Sequence, residues 1–254
     1  MSWGTRRRNS IIFIFFTVVF IVLSVYLFKV FYKPPDCFDG KRNGGEAGID
    51  CGGSCILLCQ NQTLDPIVRW SRHFRVSDGL YNVVAYVENP NPNGGVASVS
   101  YEFNLYDEEN TAIRARRGVV ELPPKAIVPI IGNSMDTGKL EATRVSFQFT
   151  EPFIFTRQAP VEPAIFVEDE RISNLDSEPR IRAEITNSVV VPIKDVLVAA
   201  IVYDKNDNAI AVSSTRFPVI PAVGSVEAFY TWPTPFKEKV ARFELIPVYE
   251  EPER

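Results

Sequence analysis

The chain has 254 residues and a mass of 28.6 kDa, with 46% hydrophobic and 23% charged residues, an ordinary globular balance for one large domain or two small ones. A single histidine, His73, leaves little material for histidine-based catalysis or a histidine-rich metal centre. Residues 1–33 hold five basic side chains and no acidic one, so the rest of the chain carries 22 basic against 31 acidic residues, a net charge of −9. Such an acidic body binds nucleic acid poorly, and we expect no nucleic acid as a partner.

The first predicted element is a transmembrane helix over residues 11–32. Ile11 to Phe28 form 18 consecutive residues without charge, Gly or Pro, close to the length of about 20 that crosses a bilayer. Residues 1–10 form a basic tail with Arg6, Arg7 and Arg8, and the positive-inside rule places this tail in the cytoplasm and the remaining domains outside the cell membrane. A cleaved signal peptide is the alternative, but large side chains fill the region where a cleavage site needs small ones. We therefore expect an uncleaved, single-pass signal anchor.

Residues 33–62 are predicted to form a small disulfide-rich stalk. All four cysteines of the chain lie there: Cys37, Cys51, Cys55 and Cys59. Outside the membrane we expect two disulfides, because the compartment is oxidising and so short a segment cannot build its own core. The spacing favours Cys37 with Cys51 and Cys55 with Cys59, although all three pairings are open. A zinc site with four thiolate ligands is the alternative, and its usual C-x2-C knuckles are absent.

Oxygen-bearing side chains lie between these cysteines: Asp39, Asn43, Glu46 and Asp50. With the intervening glycines they form a candidate calcium cage, and we expect no cofactor other than this candidate Ca²⁺. The alternative is that Asp, Asn and Gly simply form turns in a loop held by disulfides. The segment resembles a short cysteine-rich motif of surface and secreted bacterial proteins, C-x-D-G-x-x-N-x-x-E-x-x-x-D-C-G-G-x-C. It departs from that motif at its end, where Ile56, Leu57 and Leu58 lengthen the closing C-x2-C to C-x3-C.

Beyond residue 62, short alternating runs predict β-strands. Val99, Tyr101, Phe103 and Leu105 alternate with polar residues, which places one face of a strand in a core. The run from Val196 to Tyr203 is nearly all apolar and predicts a strand that is covered on both faces. Clusters of Asn, Asp, Pro and Gly separate the runs and predict turns.

The body also contains an internal repeat. The stretch that starts at Tyr106 aligns with the one that starts at Tyr203 at an offset of 97, and Leu122-Pro123 aligns with Ile220-Pro221 at 98. Phe147 aligns with Phe243 at 96. The steady offset predicts two copies of one domain of about 95 residues, the size of a seven-strand sandwich. We place these domains at 64–156 and 162–250, with a Pro-containing linker at 158–163.

The stretch from Phe103 through Leu105, Tyr106 and Asp107 spells F-x-L-Y-D, and the first repeat resembles the FxLYD-type β-sandwich domains of prokaryotic surface proteins. The second repeat keeps Tyr203 and Asp204 of that signature. The resemblance implies two tandem immunoglobulin-like β-sandwich domains after the transmembrane helix and the disulfide-rich segment, an all-β fold class. It also implies structural roles for these residues, since that family is mostly without a known catalytic role.

No common catalytic motif is present in the sequence. We expect a non-catalytic, membrane-tethered adaptor or structural protein of the cell envelope, whose partner is another envelope protein held by sandwich loops or by an edge strand. One alternative is a calcium-binding surface module, and another is a carbohydrate-binding module that uses Trp70 and Trp232. A less favoured alternative, an envelope hydrolase, requires a polar cleft.

Overall fold

A computed structural model describes residues 3–159 and 162–249. Within them the chain forms one α-helix, a 3-10 turn at Gln60–Gln62 and thirteen β-strands. The elements are α1 (Trp3–Phe31), β1 (Ile67–Ser77), β2 (Leu80–Glu88), β3 (Gly94–Tyr106), β4 (Ala112–Leu122), β5 (Ile127–Asp136), β6 (Arg144–Phe149), β7 (Thr156–Arg157), β8 (Ile165–Ser173), β9 (Arg180–Asn187), β10 (Ile193–Tyr203), β11 (Ala209–Ile220), β12 (Ser225–Thr231) and β13 (Arg242–Val248). The chain divides into two compact units, Met1–Cys55 and Ile56–Arg254. The middle of the predicted linker, at Pro160 and Val161, and the last residue of the second predicted domain lie outside the described residues.

The helix α1 is longer than the predicted span, because it begins at Trp3 rather than at residue 11. Its segment Ser10–Phe31 is apolar and fully exposed, and its 22 residues reach about 33 Å at helical rise, enough for the hydrocarbon core of a bilayer. Thr17 donates its hydroxyl to the carbonyl oxygen of Phe13 at 2.9 Å, so this polar group is satisfied inside the helix. The side chains of Arg6 to Arg8 lie outside the described part of the chain.

The first unit also contains the cysteine module, residues 33–55. A disulfide joins Cys37 to Cys55 with 5.7 Å between their Cα atoms, and Cys51 and Cys59 are also disulfide-bonded. The pairing of Cys37 with Cys51 that spacing favoured is therefore wrong. Turns decide the pairing, because hydrogen bonds from Gly48 N to Cys51 O and from Cys55 N to Gly52 O fold the chain back on itself. The zinc alternative also fails, because sulfurs bonded to one another are not thiolate ligands.

The second unit contains two β-sandwiches in tandem, as predicted. In the first, called sandwich 1, the sheet β1-β2-β5 lies against the sheet β4-β3-β6, and the short β7 pairs with the start of β3. In sandwich 2, the sheet β8-β9-β12 lies against the sheet β11-β10-β13. The strand order is the same in both, and the pairs are antiparallel. Each sandwich has six long strands rather than the predicted seven.

Each sandwich has its own core, built by period-two alternation along its strands. In β2, Val83, Ala85 and Val87 point into the core of sandwich 1, where they meet Phe103 and Leu105 of β3. The core of sandwich 2 is formed in the same way by its own strands. Its largest fully buried residues include Ile181, Ile185, Ile193, Val196, Val198 and Tyr230.

A third buried cluster joins the two sandwiches. Val84 of β2 is 0% exposed, although it points away from its own core, and it shares this cluster with Ile201, Tyr203 and Val212 of sandwich 2. The sheet β1-β2-β5 therefore packs against the sheet β11-β10-β13. This explains the apolar run of β10, which the sequence predicted to be covered on both faces: one face meets its own core and the other meets sandwich 1.

The strands of these two facing sheets cross rather than run side by side. Arg72 of β1 donates to the carbonyl oxygen of Ala209 at 2.9 Å, at the start of β11. Further along β11, Ser214 contacts Asn133 of β5 at 2.6 Å. Since β1 and β5 are the two outer strands of one sheet, β11 passes across that sheet from edge to edge. Such crossed packing is one of the two common arrangements of stacked sheets.

Candidate interaction surfaces

A buried asparagine closes one end of each sandwich. Asn89 and Asn187 are both 0% exposed, and the side-chain Nδ2 of each reaches three backbone carbonyl oxygens. The acceptors are Gly94, Leu122 and Pro123 for Asn89, and Val191, Ile220 and Pro221 for Asn187. The aligned dipeptides Leu122-Pro123 and Ile220-Pro221 thus occupy equivalent positions, because their carbonyl groups accept from equivalent asparagines. Sequence reasoning missed both asparagines, although they stand 98 residues apart and each follows an alternating strand.

The residues of the F-x-L-Y-D stretch lie in the core and in a hairpin turn. Phe103 and Leu105 are fully buried in sandwich 1. The carboxylate of Asp107 accepts a hydrogen bond from the backbone N–H of Thr111 at 2.8 Å. Asp204 does the same in sandwich 2, where it accepts from the N–H of Asn208 at 2.8 Å. The hydrogen bond from Asn208 lowers the pKa of Asp204 below its ordinary value.

The tyrosine that precedes each of these aspartates is covered by an arginine. The guanidinium of Arg144 lies 3.9 Å from the ring centre of Tyr106, and that of Arg242 lies 3.8 Å from the ring centre of Tyr203. Arg144 and Arg242 are therefore structural equivalents.

The equivalence of Arg144 and Arg242 changes one residue pair in the alignment of the two repeats. Phe147 pairs with Phe103 across the sheet, and at the equivalent place in sandwich 2, Leu245 pairs with Ala200. The counterpart of Phe147 is Leu245, so the alignment with Phe243 was displaced by two residues.

Polar contacts fix the interface between the sandwiches. The hydroxyls of Tyr86 and Tyr203 both donate to Oε2 of Glu244, at 3.3 and 3.1 Å, and Arg242 donates to the other oxygen of this carboxylate at 2.5 Å. Burial, helped by the Glu244 charge, raises the pKa of Tyr86 from 10.0 to about 12 and raises that of Tyr203 as well. Both phenols thus stay neutral donors over the whole physiological range.

Other residues that sequence reasoning singled out for chemistry are used in packing. Trp70 stacks on Tyr86 with ring centres 5.2 Å apart, and Trp232 packs edge-on to Phe236 at 5.1 Å. His73 is half-buried on β1 with its ring 5.9 Å from that of Tyr81, and this burial lowers the pKa of the imidazole.

The four oxygen-bearing residues of the cysteine module make hydrogen bonds within it. Asp39 accepts from the side-chain amide of Asn43 at 2.8 Å and from the backbone of Lys41 at 2.9 Å, and these bonds, led by that of Asn43, lower the pKa of Asp39. Glu46 accepts from the backbone N–H groups of Asn43 and Asp50. The carboxylate of Asp50 accepts from the N–H of Gly40 at 3.0 Å. One oxygen, Oδ1 of Asn43, is buried and makes no hydrogen bond to the described residues. The calcium site remains a prediction.

The two outward faces of the stack carry polar and charged side chains at several positions that are apolar on the packed faces. On the sheet β8-β9-β12, the cross-strand row Glu168, Glu184 and Glu227 lies beside Arg182. The buried asparagines define an offset of 98 between equivalent positions of the two sandwiches. At this offset, the counterpart of Tyr86 is Glu184 and the counterpart of Val84 is Arg182. On the opposite outward face, Asn104 of β3 and its cross-strand neighbour Ala115 stand where sandwich 2 has Ile201 and Val212. Single apolar side chains are also exposed on these faces: Val119 on the sheet β4-β3-β6, and Phe166 and Phe229 on the sheet β8-β9-β12.

Several edge strands are protected against pairing with another chain. Pro129, Pro218 and Pro247 interrupt the N–H rows of β5, β11 and β13. The edge strand β8 is broken by a bulge between Glu168 and Arg171. Such features are typical of edges that do not recruit a further strand.

One end of sandwich 2 is apolar and exposed. It consists of the loops 188–192 and 221–224, which contain no charged residue, and we call it the tip. Val190 is 83% exposed and Val223 is 69% exposed, and the backbone N–H of Val223 donates to Val189 O at 3.0 Å. Val223 also has a φ of 49°, a left-handed conformation that is unfavourable for a β-branched residue.

The same end of sandwich 1 is covered by its own chain. The equivalent of Val223 is Lys125, which has a φ of 51° and donates its N–H to Asn91 O at 2.9 Å. Residues 56–64 run along this end: Leu58 N donates to Phe155 O at 2.9 Å, and Leu64 exchanges two hydrogen bonds of 2.8 and 2.7 Å with the side chain of Asn91. Among the described residues, no comparable segment covers the tip of sandwich 2.

The comparisons with known proteins give no family. No protein-family model and no curated protein matches the chain. Among solved structures, a transglutaminase from red sea bream is similar at 10% identity and a TM-score of 0.22, over 72% of this chain and 31% of the other. The tandem CBM22-1-CBM22-2 domain of Paenibacillus barcinonensis Xyn10C is similar at 7% identity and a TM-score of 0.17, over 74% of this chain and 83% of the other. The chain thus spans about a third of the transglutaminase, and neither similarity is close enough to support a functional conclusion.

Proposed function

We propose that this protein is a non-catalytic scaffold of the cell envelope, in which α1 anchors a two-sandwich head to the membrane and the head binds another envelope protein. The length and apolar surface of Ser10–Phe31 support the anchor. The basic residues Arg6 to Arg8 before it support a cytoplasmic N-terminus and an extracytoplasmic head. The disulfide-bonded cysteines fit an oxidising compartment.

The observation that carries this proposal is the uncovered tip of sandwich 2. In sandwich 1 the partly apolar segment 56–64 lies over the equivalent end, whereas Val190 and Val223 face solvent. An uncharged apolar surface of this kind marks a binding site for another apolar surface. We assign to it an apolar segment of a partner protein, which would cover the tip as residues 56–64 cover sandwich 1. The protected edge strands favour this loop contact over strand addition.

The proposal includes membership of both sandwiches in the FxLYD-type family. Buried Phe103 and Leu105, the turn formed by Asp107 and the same turn at Asp204 support it. The matching strand order of the two sandwiches supports their origin as two copies of one domain.

Site-specific photocrosslinking in native membranes tests the contact. A benzophenone side chain at Val190 is expected to give a covalent adduct with one partner protein, which mass spectrometry identifies. The matched control places the same group at Lys205, an exposed residue in the β10-β11 turn, and should give no such adduct. Equal labelling at both positions, or adducts at Lys205 alone, would contradict the tip as the binding surface.

Calcium binding by the cysteine module is a second candidate, and one observation favours it. The buried Oδ1 of Asn43 has no hydrogen-bond donor among the described residues and lies in a loop with three carboxylates. Calcium coordinates such side-chain carbonyl and carboxylate oxygens. Titration calorimetry of the chelator-treated protein measures this directly, and the absence of heat at millimolar calcium would eliminate the site.

A further inference from the structure

Two large apolar side chains project from the cysteine module. Phe38 is 76% exposed and Ile49 is 63% exposed. Each lies in the middle of a tight turn: Asp39 N donates to Asp36 O at 3.4 Å around Phe38, and Gly48 pairs with Cys51 around Ile49. Such central turn positions are usually filled by Gly, Asn, Asp or Ser, so exposed Phe and Ile there are unexpected in water.

The two turns are held together. The N–H of Gly40, two residues after Phe38, donates to both carboxylate oxygens of Asp50 at 3.0 Å, and Asp50 directly follows Ile49. The disulfide at Cys37, the neighbour of Phe38, fixes the same region covalently. The apolar pair is therefore presented by a constrained loop rather than by a loose one, which reduces the ordering cost of any contact it makes.

This apolar pair lies close to the membrane anchor along the chain. Phe38 follows Phe31, the last residue of α1, by seven positions, which is at most about 25 Å of extended chain. Tyr32 stacks on Phe28 at 4.8 Å where the helix ends, an aromatic placement common at the membrane–water interface. Lys41 and Arg42 are exposed between the two turns and are suited to lipid phosphates.

We propose that Phe38 and Ile49 insert into the interfacial region of the outer leaflet, so that the cysteine module rests on the bilayer instead of standing clear of it as a stalk. The inference depends on the proposed function in one respect, namely that α1 crosses the membrane. The partner is the lipid surface itself, which removes both apolar side chains from water while their turns stay intact. A protein partner for the same pair is the alternative that the experiment separates.

The test uses tryptophan substitutions in the full chain, reconstituted in phosphatidylcholine vesicles with or without bromine on the acyl chains. The variants Phe38→Trp and Ile49→Trp each add one fluorophore to the natural Trp3, Trp70 and Trp232. The emission added over the unsubstituted protein is expected to shift to the blue and to be largely lost in brominated vesicles. The control Val119→Trp, at a strand position that is also 63% exposed, should keep its added emission.

Two further measurements check the disulfides and the membrane anchoring of each variant. Thiol labelling shows that the disulfides of each variant are intact, and alkaline carbonate extraction shows whether the protein is anchored. If the protein stays in the membrane but positions 38 and 49 are quenched no more than position 119, the inference is wrong and the anchor stands. Release by carbonate would contradict both the proposed anchor and this inference.

Discussion

At the scale of single residues, the buried amides of Asn89 and Asn187 are the clearest constraints on the fold. Each donates to backbone carbonyls that come from distant turns, so its removal leaves buried acceptors without a donor. We expect Asn187→Ala to lower the free energy of unfolding by about 2–4 kcal/mol. Urea unfolding of the detergent-solubilised chain, followed by circular dichroism, measures this loss.

Two variants separate the hydrogen bonds from other effects at this position. Asn187→Asp keeps the side-chain volume but, ionised at neutral pH, has no donor for the carbonyl oxygens, and we expect a loss at least as large as that of Asn187→Ala. Asn206→Ala changes an exposed turn residue and should shift stability by no more than about 0.5 kcal/mol. A loss from Asn187→Ala as small as that of Asn206→Ala would show that the buried amide is dispensable.

These asparagines also show where sequence reasoning ends at the residue scale. An Asn after a strand and before Pro or Ser is read as a turn former, which is correct locally for both positions. Its burial depends on carbonyl groups about 33 residues away, at Leu122 and Ile220, and those carbonyls carry no sequence signal. Asp107 and Asp204 were predictable because their hydrogen bonds close within four residues.

At the scale of elements, the strand β10 carries the information about domain packing. Its apolar run predicted cover on both faces, but the covering sheet was not predictable, because β2 shows its second apolar face only through Val84 and Tyr86. In sandwich 1, β3 is the counterpart of β10. The face of β3 that corresponds to the packed face of β10 carries the polar Asn104 and Glu102, and it faces solvent. The two sandwiches share one topology, but this face is packed in β10 and faces solvent in β3. The difference therefore lies in the side chains on that face.

The packed faces should be energetically coupled. Val84→Ala and Ile201→Ala each remove buried methyl groups from the shared cluster, at an expected cost of about 2–5 kcal/mol for the isoleucine and less for the smaller valine. Because both residues belong to one cluster, the double variant should deviate from additivity by at least about 0.5 kcal/mol. Urea unfolding of the wild type, both single variants and the double variant gives this value. Strict additivity, or two separate unfolding transitions in the wild type, would show that the sandwiches fold independently.

At the scale of the whole molecule, the sequence predicted the helix and the sandwiches that follow it, but it did not predict which cysteines are paired. The uninterrupted apolar length predicted α1, and the tandem sandwiches predicted from the offset of about 97 are present. The pairing of Cys37 with Cys55 was missed, because spacing measures only the entropy of closing a loop. The turns at Gly48 and Gly52 override that small difference by deciding which sulfurs meet.

The oxidation state of the cysteines links this covalent framework to the side of the membrane on which the module lies. If the module lies outside the cytoplasm, a maleimide reagent should leave Cys37, Cys51, Cys55 and Cys59 unlabelled in native membranes and in urea without reductant. After reduction in urea, the same reagent should label all four. The unreduced urea sample is the control, because it distinguishes oxidised sulfurs from thiols that are merely buried. Labelling in that sample would contradict both the disulfides and an extracytoplasmic head, since the cytoplasm keeps such thiols reduced.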